Sequence, residues 1–141
     1  MRRGFTLLEL LVVLVMFGIL LAVFAPRWSG QRDRLAVHRA ATEVATFYHA
    51  ARYGAILRAR PVRLEFAAAS LRATYESPTD STFLERPGPD RHGVTLEASR
   101  AVIRIGPDGL GFGAANTRLV LRRGASADTL TTSRLGRIRR W

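Results

Sequence analysis

The sequence predicts an α+β fold in which a long N-terminal helix, hydrophobic at first and amphipathic later, packs on a small antiparallel β-sandwich or two-sheet domain. Residues 5–25 carry a single charge, Glu9, and apolar residues then recur at helical spacing as far as about Arg58. After Pro61 the pattern changes to a strict alternation of apolar and polar residues. A helical period followed by a period of two indicates one helix leading into a β domain.

Residues 5–25 form the first predicted element, a membrane-spanning helix. At about 1.5 Å per residue a helix of this length extends about 31 Å, which matches the roughly 30 Å hydrocarbon core of a bilayer. Arg2 and Arg3 precede it, so the positive-inside rule predicts a cytoplasmic N-terminus and a translocated C-terminal part. A conventional signal peptide cut after Ala25 is the alternative. Pro26 directly after that cut, and Glu9 within the apolar region, argue against it.

Residues 26–60 are predicted to continue the helix beyond the membrane, with a kink near Pro26. Their apolar and small residues recur at helical spacing and charged residues fall mostly between them, which indicates one buried face. Pro61 is expected to end the helix, because the residue before a proline is driven towards extended conformations. The apolar set is Leu35, Ala41, Val44, Ala45, Phe47, Tyr48, Ala51 and Ala55.

Residues 61–141 are predicted to form six or seven antiparallel strands. Val62–Phe66 and Leu71–Glu76 alternate apolar and polar residues and indicate a hairpin, whereas Ser77–His92, rich in Pro, Asp, Ser and Gly, indicates a surface loop. Pro107-Asp108-Gly109 indicates a turn. The remaining predicted strands are Val94–Ala98, Ala101–Ile105, Leu119–Arg122, Thr129–Thr132 and Leu135–Arg139.

The composition bounds the possible functions. The chain has 22 basic residues, all arginine, against 11 acidic ones, for a formal net charge of +11, and it has no cysteine. This excess favours anionic partners such as nucleic acid or lipid headgroups. His38 and His49 could share a helix face, but no cysteine or nearby acidic pair completes a metal site. The glycine-rich residues 109–113 follow a turn instead of opening a helix, so we interpret them as turn and bulge.

We find no catalytic constellation in the sequence and expect neither an enzyme nor a cofactor site. Glu9 is the residue whose chemistry needs an explanation, because a charge within a spanning helix costs about 2.5–3.5 kcal/mol at the centre and less near an end. An α-amine created by cleavage just before Phe5 could pair with Glu9 of the same or a neighbouring helix. A carboxylate tolerated near the interface and the helix N-terminus is the alternative.

The N-terminal string Arg2-Arg3-Gly4-Phe5-Thr6-Leu7-Leu8-Glu9-Leu10 resembles the class III signal of type IV pilins and pseudopilins. The resemblance implies that residues 1–4 are a leader, that a prepilin peptidase cuts between Gly4 and Phe5, and that Phe5 is then N-methylated. It also implies that Glu9 takes part in subunit assembly.

The rest of the chain resembles the GspH/FimT group of minor pseudopilins and pilins. The resemblance rests on the helix-to-strand passage of residues 51–64, the Pro107-Asp108-Gly109 turn and the terminal Gly136-Arg137-Ile138-Arg139. It implies a single-pass subunit of the bacterial inner membrane with a periplasmic domain, which joins other pilins or pseudopilins in a periplasmic filament. An H-type pseudopilin of type II secretion is favoured, and a FimT-like pilin that binds DNA is the alternative.

The C-terminal arginines are the residues on which that alternative depends. An extended segment would direct Arg137 and Arg139 to one face and Ile138 to the other. With Arg140 they could hold a phosphate backbone, while Trp141 could stack on an exposed base. In the FimT branch a Gly-Arg-x-Arg element is associated with DNA binding. A solvated basic edge that discourages aggregation explains the same residues.

Overall fold

The computed structural model describes residues 6–76 and 79–141, with residues 24–29 described by their backbone alone. One helix, α1, runs from Leu7 to Leu57. Thr6 caps its start, since the Thr6 hydroxyl oxygen accepts a 3.3 Å hydrogen bond from the Glu9 backbone N–H. The helix ends four residues before Pro61, and Ala59 follows it with a positive φ of 47°.

The chain divides into two compact units, Met1–Arg32 and Asp33–Trp141. In the first unit, the large apolar side chains from Leu7 to Val23 are all exposed. No helix in the described residues has both the length and the apolar character needed to cross a membrane. Gly4 and Phe5, where cleavage and methylation are predicted, lie outside the described residues.

The second unit contains two antiparallel sheets, which confirms the predicted α+β fold class. The five-stranded sheet has the order β3-β2-β1-β5-β6, and the four-stranded sheet has the order β4-β7-β8-β9. Alternation of buried and half-buried residues along β1 is the pattern that predicted this strand. The strands are β1 Val62–Phe66, β2 Ser70–Tyr75, β3 Ser81–Pro87, β4 Thr95–Ala98, β5 Val102–Ile105, β6 Gly111–Phe112, β7 Thr117–Arg123, β8 Ser126–Thr132 and β9 Ile138–Arg140.

The core of the second unit lies between one face of α1 and the inner faces of the strands. Much of the helix side is alanine, so the helix backbone approaches its neighbours closely, and the Phe47 and Phe66 rings meet edge to face with centroids 5.9 Å apart. On the strands, Leu64, Leu119 and Leu130 are fully buried. The buried residues of the helix face are Ala36, Val37, Ala40, Ala41, Val44, Phe47, Tyr48, Ala51 and Ala55.

Three predictions of the secondary structure need correction. The loop predicted for Ser77–His92 contains the edge strand β3 and a short 3₁₀ helix, Pro89–His92. Part of the glycine-rich stretch 109–113 forms β6. With β3 and β6 added, the described strands number nine instead of six or seven. The last strand is Ile138–Arg140, because the residues before it form the turn that returns the chain from β8.

Candidate functional site

The predicted assembly residue, Glu9, lies exposed in the first turn of α1. Its carboxylate has no ion-pair partner within the part of the chain that the structure describes. The partial positive charge of a helix N-terminus stabilises a carboxylate at this position. Glu9 is therefore held at a defined place in a capped helical turn while its side chain remains available to another group.

The outer face of the four-stranded sheet carries the second candidate site. The strand register places Arg118 of β7 beside Thr131 of β8, and Thr131 beside Arg139 of β9. The three side chains thus form one row across the sheet, on the face opposite the buried Leu130. Arg122 is exposed four residues from Arg118 on the same strand, and therefore on the same face.

Trp141 extends this face beyond the end of β9. Its main chain exchanges hydrogen bonds with Thr129, with N–O distances of 2.9 and 3.3 Å. Its indole N–H donates to the Thr131 hydroxyl over 3.2 Å, yet the side chain remains 74% exposed. Arg137 is exposed in the turn that leads into β9. We call Arg118, Arg122, Arg137, Arg139 and Trp141 the basic face.

Arg140, predicted to act with Arg137 and Arg139, points the other way. It forms an ion pair with Asp128, whose side chain is only 8% exposed. Its Nη2 atom lies 2.6 Å from Nδ1 of His38 on α1. Arg140 thus joins β9 to β8 and to the helix, and the structure separates it from the two arginines with which the sequence grouped it.

Arg118 and Arg122 are functional candidates that the sequence reasoning missed. The sequence did contain a signal for their exposure, because Arg118 and Arg122 alternate with Leu119 and Leu121, which are buried. What the sequence could not give was the register that brings β7 next to β8 and β8 next to β9.

The three downstream segments that carry the family resemblance meet at Arg52. The Arg52 Nε–H donates a 2.8 Å hydrogen bond to the carbonyl oxygen of Gly109. Gly136 has a φ of 70°, and a Cβ there would lie 2.5 Å from Arg52 Nε and 2.5 Å from the Gly109 oxygen. Glycine is required at position 136 both for its backbone conformation and for this close approach.

A surface groove with a volume of about 320 Å³ lies between α1 and β3, and charged residues, among them Glu43 and Arg91, line part of it. The Glu43 carboxylate pairs with Arg91 and lies 3.1 Å from Nε2 of His92. Burial raises the pKa of the Glu43 carboxyl, but the hydrogen bonds and charges of Arg91 and His92 together outweigh burial and lower the pKa below 4.5. These contacts fasten the 3₁₀ helix to α1.

Two observations concern chemistry. Among the residues that the structure describes, no cluster of three His, Cys, Asp or Glu side chains could hold a metal ion. Burial raises the pKa of the Tyr48 hydroxyl, an effect that the positive charge of Arg52 opposes. Tyr48 is almost fully buried, so its hydroxyl is inaccessible to a substrate.

The comparisons with known proteins agree with this architecture. Residues 1–25 match the prokaryotic N-terminal methylation motif, and residues 40–136 match the type II transport protein GspH family. No curated protein is similar enough to the chain to count as a relative.

Two crystal forms of the type IV minor pilin FimU of Pseudomonas aeruginosa share the fold. One has a TM-score of 0.64 at 15% identity and covers 75% of this chain and 88% of FimU. The other has a TM-score of 0.61 at 14% identity, with 74% and 91% covered. With an N-terminal methylation motif followed by a GspH domain over more than half its length, the chain belongs to the GspH family of pilin-like minor pseudopilins.

Proposed function

We propose that this protein is an H-type minor pseudopilin of a type II secretion system. The observation that carries the proposal is the methylation motif at residues 1–25 followed by the GspH match at residues 40–136. In this role a prepilin peptidase removes residues 1–4, Phe5 becomes the methylated N-terminus, and the protein passes from the inner membrane into a periplasmic filament.

The exposed apolar side chains between Leu7 and Val23 support this role, because they need either lipid or the helices of other subunits to cover them. Glu9 is the charged residue within that apolar surface. Pairing with a neighbouring subunit's new α-amine would satisfy it and would set the position at which the helix joins the bundle.

The test uses the full chain produced together with the other pseudopilins of the proposed secretion system. We expect mass spectrometry to find a chain that begins at methylated Phe5, and Glu9→Gln to be processed normally but depleted from purified filaments. Glu43→Gln, which neutralises a carboxylate elsewhere, is the control and should assemble. An intact N-terminus, or normal assembly of Glu9→Gln, would contradict the proposal.

Deleting the gene separates secretion from the alternative role. Loss of protein secretion with normal DNA uptake is the result that we expect for a type II pseudopilin. Loss of transformation with normal secretion would instead assign the protein to a pilus.

The second candidate function is DNA capture by the basic face, as in the FimT-like alternative. The row of Arg118, Thr131 and Arg139 beside the exposed Trp141 favours it, since cationic side chains on a flat surface suit phosphates and an indole can stack on a base. Arg140 is not part of this surface, because it is committed to Asp128.

Fluorescence anisotropy of the full chain in neutral micelles with labelled DNA tests this candidate. Binding should fall steeply between about 50 and 200 mM salt, because phosphate contacts release counterions. Arg137→Ala/Arg139→Ala should abolish it. Arg72→Ala/Arg86→Ala removes the same charge from β2 and β3 and should not. If both double variants weakened DNA binding equally, net charge would explain the binding and a defined site would be excluded.

A further inference from the structure

A second exposed surface, at the end of α1, is apolar instead of basic. Tyr53, Ile56 and Leu57 are 66%, 41% and 73% exposed, and Leu110 and Leu135, in two separate turns, are 42% and 66% exposed. We call these five residues the helix-end patch. Isolated exposed apolar residues are ordinary, but a contiguous group marks an interaction surface.

Contacts within the second unit bring together the three segments that carry these residues. Tyr53, Ile56 and Leu57 share one side of the helix, being three and four residues apart. The turn that holds Leu110 lies against this side, because a Cβ at Gly109 would be 2.6 Å from Ile56 Cδ1. In the neighbouring turn Gly136, the residue after Leu135, lies against Arg52 and Gly109.

That neighbouring turn is fixed at both sides of Leu135. The Gly111 N–H donates a 2.7 Å hydrogen bond to the Arg134 carbonyl oxygen. Gly136 fits directly against Arg52 and Gly109. The five apolar side chains therefore project from a rigid frame made by α1 and two locked turns, and a partner that covers them would not have to order mobile loops first.

The charges beside the patch decide what can cover it. Arg52 and Arg134 lie on the same segments as the patch, and the one carboxylate on these segments, Asp108, accepts a hydrogen bond from the Leu110 N–H over 3.0 Å. A second copy using the same face would bring arginines against arginines, since a two-fold interface joins identical surfaces. The complementary surface has an apolar centre and acidic groups around it.

We propose that the helix-end patch binds a different subunit of the filament, through an apolar surface with acidic groups at its rim. This inference rests on the proposed role as a filament subunit, but it uses residues far along the chain from Glu9. It gives the globular domain a defined, heterotypic contact in addition to packing of the N-terminal helices.

The test places a photo-crosslinking amino acid at Leu57 or Leu135 of the full chain, in cells that produce the complete set of subunits. Position 72 on β2, which is exposed and outside the patch, is the control. We expect one pilin-like subunit to be captured from both patch positions but not from position 72. The crosslinked peptide should contain Asp or Glu.

Charge reversal then tests the chemistry of the contact. Arg134→Glu should lower the crosslinking yield by at least about tenfold, because it places like charges across the interface. Replacing the mapped acidic residues of the partner with Lys should restore the yield. Thermal unfolding of this variant should match the wild type, because Arg134 is exposed.

Three outcomes would overturn the inference. They are capture of a second copy of this chain, no capture above the level at the control position, and a crosslinking yield that neither charge reversal changes. Filament assembly is measured in the same cells. A chain that enters filaments without the crosslink overturns this inference alone, whereas a chain that never enters filaments overturns the proposed function.

Discussion

Arg140 on β9 forms an ion pair with Asp128 on β8, and the Asp128 side chain is only 8% exposed. Arg140→Ala would leave that carboxylate buried without its cation, so we expect the free energy of unfolding to fall by about 2–4 kcal/mol. Chemical denaturation measures the loss. Arg139→Ala, one residue earlier and on the exposed face, should change stability by no more than about 0.5 kcal/mol. Equal losses would show that the two side chains are not separated as described.

Gly136 gives the second prediction. Gly136→Ala combines a positive φ with a Cβ only 2.5 Å from Arg52 Nε, so it should destabilise the protein by about 2–4 kcal/mol. Gly113→Ala is the matched control, because its φ is also positive, 64°, but nothing lies within 4 Å of the new Cβ. Backbone strain alone should cost about 1–2 kcal/mol there. The difference between the two variants, from thermal unfolding, isolates the close contacts with Arg52 and with the Gly109 carbonyl oxygen.

We expect the free energy of unfolding to depend on pH because of Glu43. Its pKa is lower in the folded protein than its ordinary 4.5, so its stabilising contribution is complete above that value and is lost as the pH falls through the folded pKa. Because the carboxylate is partly exposed, wild type should exceed Glu43→Gln by less than about 1 kcal/mol at neutral pH. Urea unfolding of both proteins between about pH 7 and pH 3 tests this. A difference that does not shrink in acid would contradict it.

Ala40 tests how closely α1 packs on the sheets. Its side chain is completely buried, so Ala40→Leu must force neighbouring groups apart and should cost about 1–3 kcal/mol. Ala50 is exposed on the same helix, and Ala50→Leu should be nearly neutral. Denaturant midpoints of the two variants provide the comparison, and equal stability would show that the helix face tolerates larger side chains.

The sequence was sufficient to predict the fold class, because two simple periods describe most of the chain. The period of two fails at β3, where burial does not alternate: Ser81–Pro87 is an edge strand that is mostly exposed. Pro87 and the polar residues around it resemble a loop for the same reason that they suit an edge. β6 has two residues, too few for any periodic signal.

The candidate sites show the same division between local and tertiary information. The alternation of side chains along an extended strand places Arg137 and Arg139 on one face and Ile138 on the other. Applied to the next residue, the same alternation places Arg140 on the inner face, with Ile138. The contact of Arg140 with Asp128 and the row that joins Arg118 to Arg139 depend on strand register. The approach of Gly136 to Arg52, which are distant in sequence, depends on how the turn after β8 packs against α1.

The alanines on the buried face of α1 have a consequence for engineering chimeric subunits. Ala40, Ala41, Ala51 and Ala55 are each 0% exposed, so single methyl groups set the distance from the helix axis to the strands. A helix from a distant homologue with bulkier residues at these positions would not fit beneath the same sheets. Grafts should therefore exchange residues 33–57 together with the strands that they contact, or join donor and recipient N-terminal to Asp33.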